Sequence, residues 1–133
     1  MKSALDTNVL VDIFLPDSIF LDKSKAILDQ QYNKGSLLIS EIVYAELNAI
    51  FPSRSLLDQT LGKLHINFVS SDIESAYLSG SIFKNCRKEG GTRQRVIADF
   101  MIGGHALRFA DCLVTRDRGF YRTYFKNLMI VTP

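Results

Sequence analysis

The sequence predicts an α/β domain built on an open sheet. Short apolar runs of three or four residues recur along the chain, polar capping residues follow them, and strand and helix patterns alternate throughout. The run 2–5 is a strand too short to lie anywhere but beside others in a sheet. It stops at Asp6, with Thr7 or Asn8 placed to cap the helix that follows. Ligands of open α/β sheets bind in the crevice beyond the carboxyl ends of the strands. Asp6 therefore offers a carboxylate to that edge at the very start of the chain. A lone Asp here would simply be a helix cap; it gains a second meaning only if other acids converge on it.

Residues 7–15 read as a short helix ended by Pro16, and residues 19–32 as a longer one stopped by Asn33, Lys34 and Gly35. Residues 37–39 form a second buried strand, after which Ser40 caps a helix over 41–51. Glu41 is well placed against the positive N-terminal end of that helix. Within it Ile42, Val43, Glu46, Ala49 and Ile50 recur at helical spacings, which directs Glu46 toward the core. A carboxylate there costs several kcal/mol by order of magnitude unless something compensates it. A buried ion pair, a place at the edge of the stripe and a metal ion are all adequate answers, and the position alone leaves them even.

Pro52 and Ser53 break the chain before a helix over 56–64 and a third strand over 66–69. Asp72 and Glu74 open a helix running to about Lys88. Residues 89–92 are rich in glycine and flanked by Lys84, Arg87, Lys88, Arg93 and Arg95. The stretch suits a surface loop or a phosphate-contacting one, and its basic flanks favour the second. Residues 96–110 are strongly helical and almost wholly apolar, with Asp99 sharing a face with Ile102, Gly103 and Ala106. Asp99 also lies near the first turn, where the helix dipole favours an acid. Each glycine inside a helix costs roughly 1 kcal/mol relative to Ala, so Gly103 and Gly104 imply a close approach by something else. His105, alone in mid-helix, reads as a packed or surface residue. Residues 112–115 form a fourth strand, and 116–120 turn away from its carboxyl end. Asp117 thus stands to this strand as Asp6 does to the first, whereas Asp111 precedes the strand and belongs to the opposite edge. Residues 128–131 read as a last edge strand, with Phe120, Tyr121, Tyr124 and Phe125 as core and rim packing.

At 133 residues, the expected organisation is one domain over 1–133. Apolar residues make up 47% and charged residues 23%, an ordinary globular balance rather than a disordered one. No apolar run approaches the ~20 residues of a membrane span, and no leader pattern opens the chain. Cys86 and Cys112 are far apart without paired-ligand spacing, so reduced thiols in a cytoplasmic protein are expected. The net charge of +2 hides a split. Residues 1–83 carry 6 Lys or Arg against 10 Asp or Glu, a balance of −4, and residues 84–133 carry 10 against 4, a balance of +6. Such a basic half fits a polyanionic partner, although a solvated face produces similar clusters.

Two acids at strand ends and two on helix faces make a plausible cluster: Asp6, Glu46, Asp99 and Asp117. Carboxylates gathered without partners repel, and hard divalent cations with oxygen ligands are the simplest compensation. Mg²⁺ or Mn²⁺ so held serves phosphoryl chemistry, because it acidifies a bound water and neutralises phosphate charge. No protein nucleophile is then required, in keeping with two scattered histidines and no convincing Ser-His or Cys-His pair.

The segments 5–8 (Leu-Asp-Thr-Asn), 40–47 (Ser-Glu-Ile-Val-Tyr-Ala-Glu-Leu), Ala98-Asp99 with 103–107, and 114–120 (Val-Thr-Arg-Asp-Arg-Gly-Phe) resemble those of PIN domains. Among these the chain looks most like VapC-type toxins, the ribonucleases of type II toxin–antitoxin pairs. The likeness spans essentially the whole chain in order; no single motif is specific, but the set of acids in context is. It implies a three-layer sandwich with a central, mostly parallel sheet flanked by helices. It also implies Mg²⁺- or Mn²⁺-dependent endonucleolytic cleavage of RNA, a homodimer, and a small VapB-type antitoxin that occludes the site. Carried across, Asp6, Glu46, Asp99 and Asp117 match the acidic metal-binding set, and Asn8 and Thr115 match polar positions that support it. Gly119 stands where many relatives have a polar or acidic residue, so one tightly held ion is expected, with a second recruited by substrate. Arg93, Arg95, Arg116, Arg118 and the basic residues of 84–88 would then hold RNA phosphates. The more apolar helices, 19–32 and 41–64, are the expected antitoxin surface.

An aspartyl-phosphate hydrolase also ends its first strand in a nucleophilic Asp, but those enzymes usually want a second acid two residues on, where this chain has Asn8. A non-catalytic RNA- or protein-binding module would have little reason to keep the acids. A PIN nuclease acting on DNA, or in RNA processing without an antitoxin, is the closer rival.

Overall fold

The computed structural model describes residues 1–90 and 96–133. The elements are β1 (Lys2–Leu5), α1 (Thr7–Phe14), α2 (Leu21–Lys34), β2 (Ser36–Ile39), α3 (Glu41–Asn48), α4 (Arg54–Lys63), β3 (Ile66–Phe68), α5 (Ile73–Lys88), α6 (Ile97–Phe109), β4 (Cys112–Val114), α7 (Arg118–Tyr124) and β5 (Met129–Val131). Among the described residues the strands make one sheet, ordered β3-β2-β1-β4-β5, with every pairing parallel. The inner strands are buried nearly throughout: Ala4, Leu5, Leu37, Leu38, Ile39, Leu113 and Val114 all lie in the core. Helices cover both faces of a parallel sheet, which is why these strands read as continuous apolar runs without alternation. At the two edges Phe68 and Met129 are exposed.

From β1 the chain winds outward through β2 to β3, then crosses back to β4 and β5 on the other side. Helices flank the sheet, making a three-layer sandwich. The direction reverses between β1 and β4, and that switch point opens a crevice at the carboxyl ends of both strands. Pairing of Leu5 with Val114 fixes the register there, and the Asp6 amide continues the ladder with a 2.9 Å bond to the Val114 carbonyl. Asp111 belongs to the other edge, as its place before the strand predicts: it accepts the Lys2 amide at 2.6 Å.

Ser40 accepts the Val43 amide and Ser53 the Leu56 amide, which caps α3 and α4. Asp72 and Ser75 form a reciprocal capping box at the start of α5. The cap of α1 is Asp6 itself, so Thr7 and Asn8, expected as caps, lie within the helix and are released for other contacts. The glycine pair marks a close approach, as expected. A Cβ on Gly103 would strike the Phe125 ring, and one on Gly104 would strike the Ser79 hydroxyl of α5. His105 is packed, with Nε2 2.6 Å from the Val69 carbonyl.

The structure departs from expectation in two elements. Residues 116–120, read as a turn, lead into a helix, α7. Its aromatic residues are indifferent helix formers, but Phe120 and Tyr121 are buried and Phe120 packs edge-on against Phe100 at 5.1 Å. Tertiary burial decides the conformation. Helix α3 ends at Asn48 instead of continuing to 51, and its buried side is Val43 and Leu47. Glu46, expected to face the core, is exposed. Among the described residues, no helix is long and apolar enough to cross a membrane.

Candidate active site

A cavity of about 360 Å³ opens at the switch point, lined by Asp6, Thr7, Asn8, Val11, Glu46, Asp99, Arg116 and Asp117. The acids singled out in the sequence thus meet around one space, drawn from β1, α3, α6 and the end of β4. Asp6 is the most deeply set. Its Oδ1 accepts the Thr7 amide at 2.7 Å, and its Oδ2 accepts the Thr115 hydroxyl at 2.7 Å and the Asn8 side-chain amide at 3.2 Å. The Thr115 hydroxyl in turn accepts from Asn8 Nδ2 at 3.3 Å and from the Asp117 amide at 3.0 Å. Asn8 completes the loop by accepting the Arg116 amide at 3.2 Å. One hydroxyl and one carboxamide therefore tie the start of α1 to the end of β4, and they fix Asp6 and the Asp117 backbone together.

Glu46 reaches the same space from outside the core. Its Oε1 accepts the Thr7 hydroxyl at 2.7 Å, a contact made by a residue that the sequence suggested only as a cap. Asp99 and Asp117 are half-buried, and the Asp99 carbonyl accepts the Tyr121 hydroxyl at 3.2 Å. Burial pushes the Asp6 carboxyl up to about 6 from the usual 3.8. The negative charges of Asp99 and Glu46 push the same way, against the hydrogen bonds from Thr115 and Thr7. Among the described residues, the hydrogen-bond donors to Asp6 are all neutral.

The donor set is all oxygen and mostly carboxylate, which is the chemistry of a hard divalent ion. It is not a closed cage: among the described residues no three His, Cys, Asp or Glu side chains are gathered closely enough to form a ready-made metal site. The acids share a cavity without forming a preset cage.

Arg116, expected at the RNA, has a structural duty. Its guanidinium pairs with Asp12 at 3.0 Å and lies 4.3 Å from the Phe20 ring centre. Asp12, at 2% exposure, is more buried than Asp6 and also accepts the Ser24 hydroxyl at 2.8 Å. It was open to the argument applied to Glu46, since it lies three residues from Val9 on the buried side of α1. Arg118 is exposed, as are Lys84, Arg87 and Lys88 at the end of α5. Arg93 and Arg95 lie outside the described residues.

The family model of the PIN domain matches residues 4–126. No curated protein matches the chain by sequence. Among solved structures, VapBC2 from Rickettsia felis, bound to a DNA fragment from its promoter, is similar at a TM-score of 0.78 and 19% identity, covering 100% of this chain and 99% of its own. VapBC-1 from nontypeable Haemophilus influenzae reaches 0.76 and 20%, covering 99% and 98%. FitAcB from Neisseria gonorrhoeae reaches 0.71 and 22%, covering 96% and 95%. At such identities the likeness establishes a shared fold.

Proposed function

The chain belongs to the PIN domain family, and from that premise we propose that it is a VapC-type toxin, an endoribonuclease dependent on Mg²⁺ or Mn²⁺. The observation that carries the reading is the shared cavity of Asp6, Glu46, Asp99 and Asp117, with a buried Asp6 whose proton affinity is raised by burial and by its acidic neighbours. These carboxylates would hold the ion. When bound, it would supply a Lewis acid that neutralises phosphate charge and makes water acidic enough to attack near neutral pH.

The chain's own residues hold the geometry. Asn8 and Thr115 orient Asp6, and Thr7 orients Glu46. The Thr115 hydroxyl cannot serve as nucleophile, because its proton goes to Asp6 while Asn8 and Asp117 donate to its oxygen. We assign the attack to water. Its oxygen bonds to phosphorus, the bond to one ester oxygen breaks, and the products end in a phosphate and a hydroxyl. The basic second half of the chain, including exposed Arg118 and Lys84, supports a polyanionic substrate. On the likeness to VapBC complexes we give the chain a VapB-type antitoxin, a homodimeric state and a cytoplasmic place of action, within one domain over residues 1–133.

The test is cleavage of a mixed RNA pool by metal-stripped protein with Mg²⁺ or Mn²⁺ added back, alongside Asp6→Asn and Asp99→Asn. Metal-dependent cutting by the wild type alone is expected. RNA binding without cutting at any metal concentration would instead favour a non-catalytic module. Equal cutting by all three proteins would displace the site from these acids.

A further inference from the structure

Beside the acidic cavity lies a second one, of about 330 Å³, lined by Phe20, Arg116, Arg118, Thr132 and Pro133. Arg116 forms part of both walls. Its guanidinium is held in place from two sides. Asp12 takes it at 3.0 Å, and Asp12 is in turn fixed by the Ser24 hydroxyl at 2.8 Å. The flat of the Phe20 ring lies 4.3 Å away. Phe20 is itself pinned by a local turn, since the Asp17 carboxylate accepts the amides of Ile19 and Phe20 at 2.8 Å each. Lys23 Nζ lies 5.7 Å from the same ring centre, and Arg118 is exposed at the rim.

A planar ring, a planar guanidinium already paired to an internal acid, and one further cation, Arg118, line this surface. Arg116 has its charge answered by Asp12, so what it offers is chiefly a rigid flat face and spare N–H donors. Arg118 keeps mobile charge at the edge. Aromatic and guanidinium planes stack nucleobases, and flanking cations hold the backbone. The volume is at the small end of ligand pockets, which suits a single nucleotide. We infer that this second cavity is a specificity subsite, seating the base of a nucleotide next to the scissile phosphate against the Phe20–Arg116 wall, with Arg118 on its backbone. The inference rests on the RNA-acting reading above and adds to it the element that would choose the cut site.

The experiment takes the full chain and a fluorescein-labelled hexaribonucleotide pool with randomised bases. Binding is read by anisotropy in EDTA, and cutting by end sequencing in Mn²⁺. Phe20→Ala and Arg118→Ala should each weaken binding about tenfold. Phe20→Ala should also flatten the base preference at one position beside the cut, and Phe20→Tyr should restore it. Loss of binding in both variants of a protein that binds but never cuts would uphold a base-binding cavity, and would sink the nuclease reading together with the role in choosing a cut site. Unchanged affinity and preference in Arg118→Ala and Phe20→Ala would overturn the subsite while leaving the nuclease standing. Absence of both binding and cutting by the wild type would overturn both. Melting curves guard against misfolding in Phe20→Ala. Should that variant be unstable, Arg118→Ala, a change at an exposed residue, decides the matter.

Discussion

The two ends of α1 each bury a carboxylate, and they solve the problem in opposite ways. At the far end Asp12, 2% exposed, meets the Arg116 guanidinium and the Ser24 hydroxyl, so its charge is answered within the chain. At the near end Asp6, 7% exposed, is answered by a hydroxyl, a carboxamide and a backbone amide, with Asp99 and Glu46 adding to its repulsion. A buried acid paired internally is complete as folded. One held, among the described residues, by neutral donors in a cavity lined by more acids is open to a cationic ligand. Burial by itself does not mark a site; the character of the partner does.

Breaking the Asp6 end should have the larger effect on activity. Asp6→Asn should abolish cutting, by more than the roughly 10–100-fold that loss of a supporting residue costs, as read by single-turnover cleavage. Ionising the same carboxylate should cost stability, which sharpens the contrast. Asp6 has a folded pKa raised to about 6 from 3.8, so the unfolded chain ionises first. Stability therefore falls as pH rises through that window and is lowest above it. The deficit is on the order of 2–3 kcal/mol. Melts in EDTA at about pH 4 and about pH 7 should show this fall in the wild type and lose it in Asp6→Asn. Mg²⁺ or Mn²⁺ should stabilise the wild type at the higher pH and not at the lower one. If the wild type shows no such fall between the two pH values, the carboxylate does not cost the fold stability.

At the other end, Asp12→Ala should lower stability by about 2 kcal/mol, less than a fully buried pair would cost because the Arg116 side chain is partly solvated. Denaturant titration would check this, and no loss would mean that the ion pair is ornamental. The smallest effect belongs to Glu46, exposed and held only by Thr7 among its described hydrogen bonds. Glu46→Gln should reduce cutting by about tenfold and change stability by less than about 0.5 kcal/mol.

The sequence made the frame of the molecule legible because the inner strands are short, wholly apolar and bounded by polar caps. It also put Asp6 and Asp117 beyond the carboxyl ends of β1 and β4, since the ends of those strands are easy to read. Glu46 was placed in the shared cavity for the wrong reason: helical spacing alone turned it inward, but the buried side of α3 is narrow and consists of Val43 and Leu47. Its position there depends on a contact with Thr7, 39 residues away, which no local pattern records. Arg116 reads as a phosphate ligand in the sequence because its anchor, Asp12, and its stacking partner, Phe20, become neighbours only after folding. Helix α7 was missed because packing on Phe100, not propensity, makes it helical.

The switch point between β1 and β4 also has a consequence for the order in which the protein comes into being. Asp6 is synthesised 109 residues before its partner Thr115, and Asp117 follows Thr115. The pairing of Leu5 with Val114 must wait until β4 is made. A nascent polypeptide holding β1, β2 and β3 has Asp6 and Glu46 but lacks the other two acids and the hydroxyl that orients the first. On the proposed reading, a nascent polypeptide short of β4 is therefore also short of its cutting site.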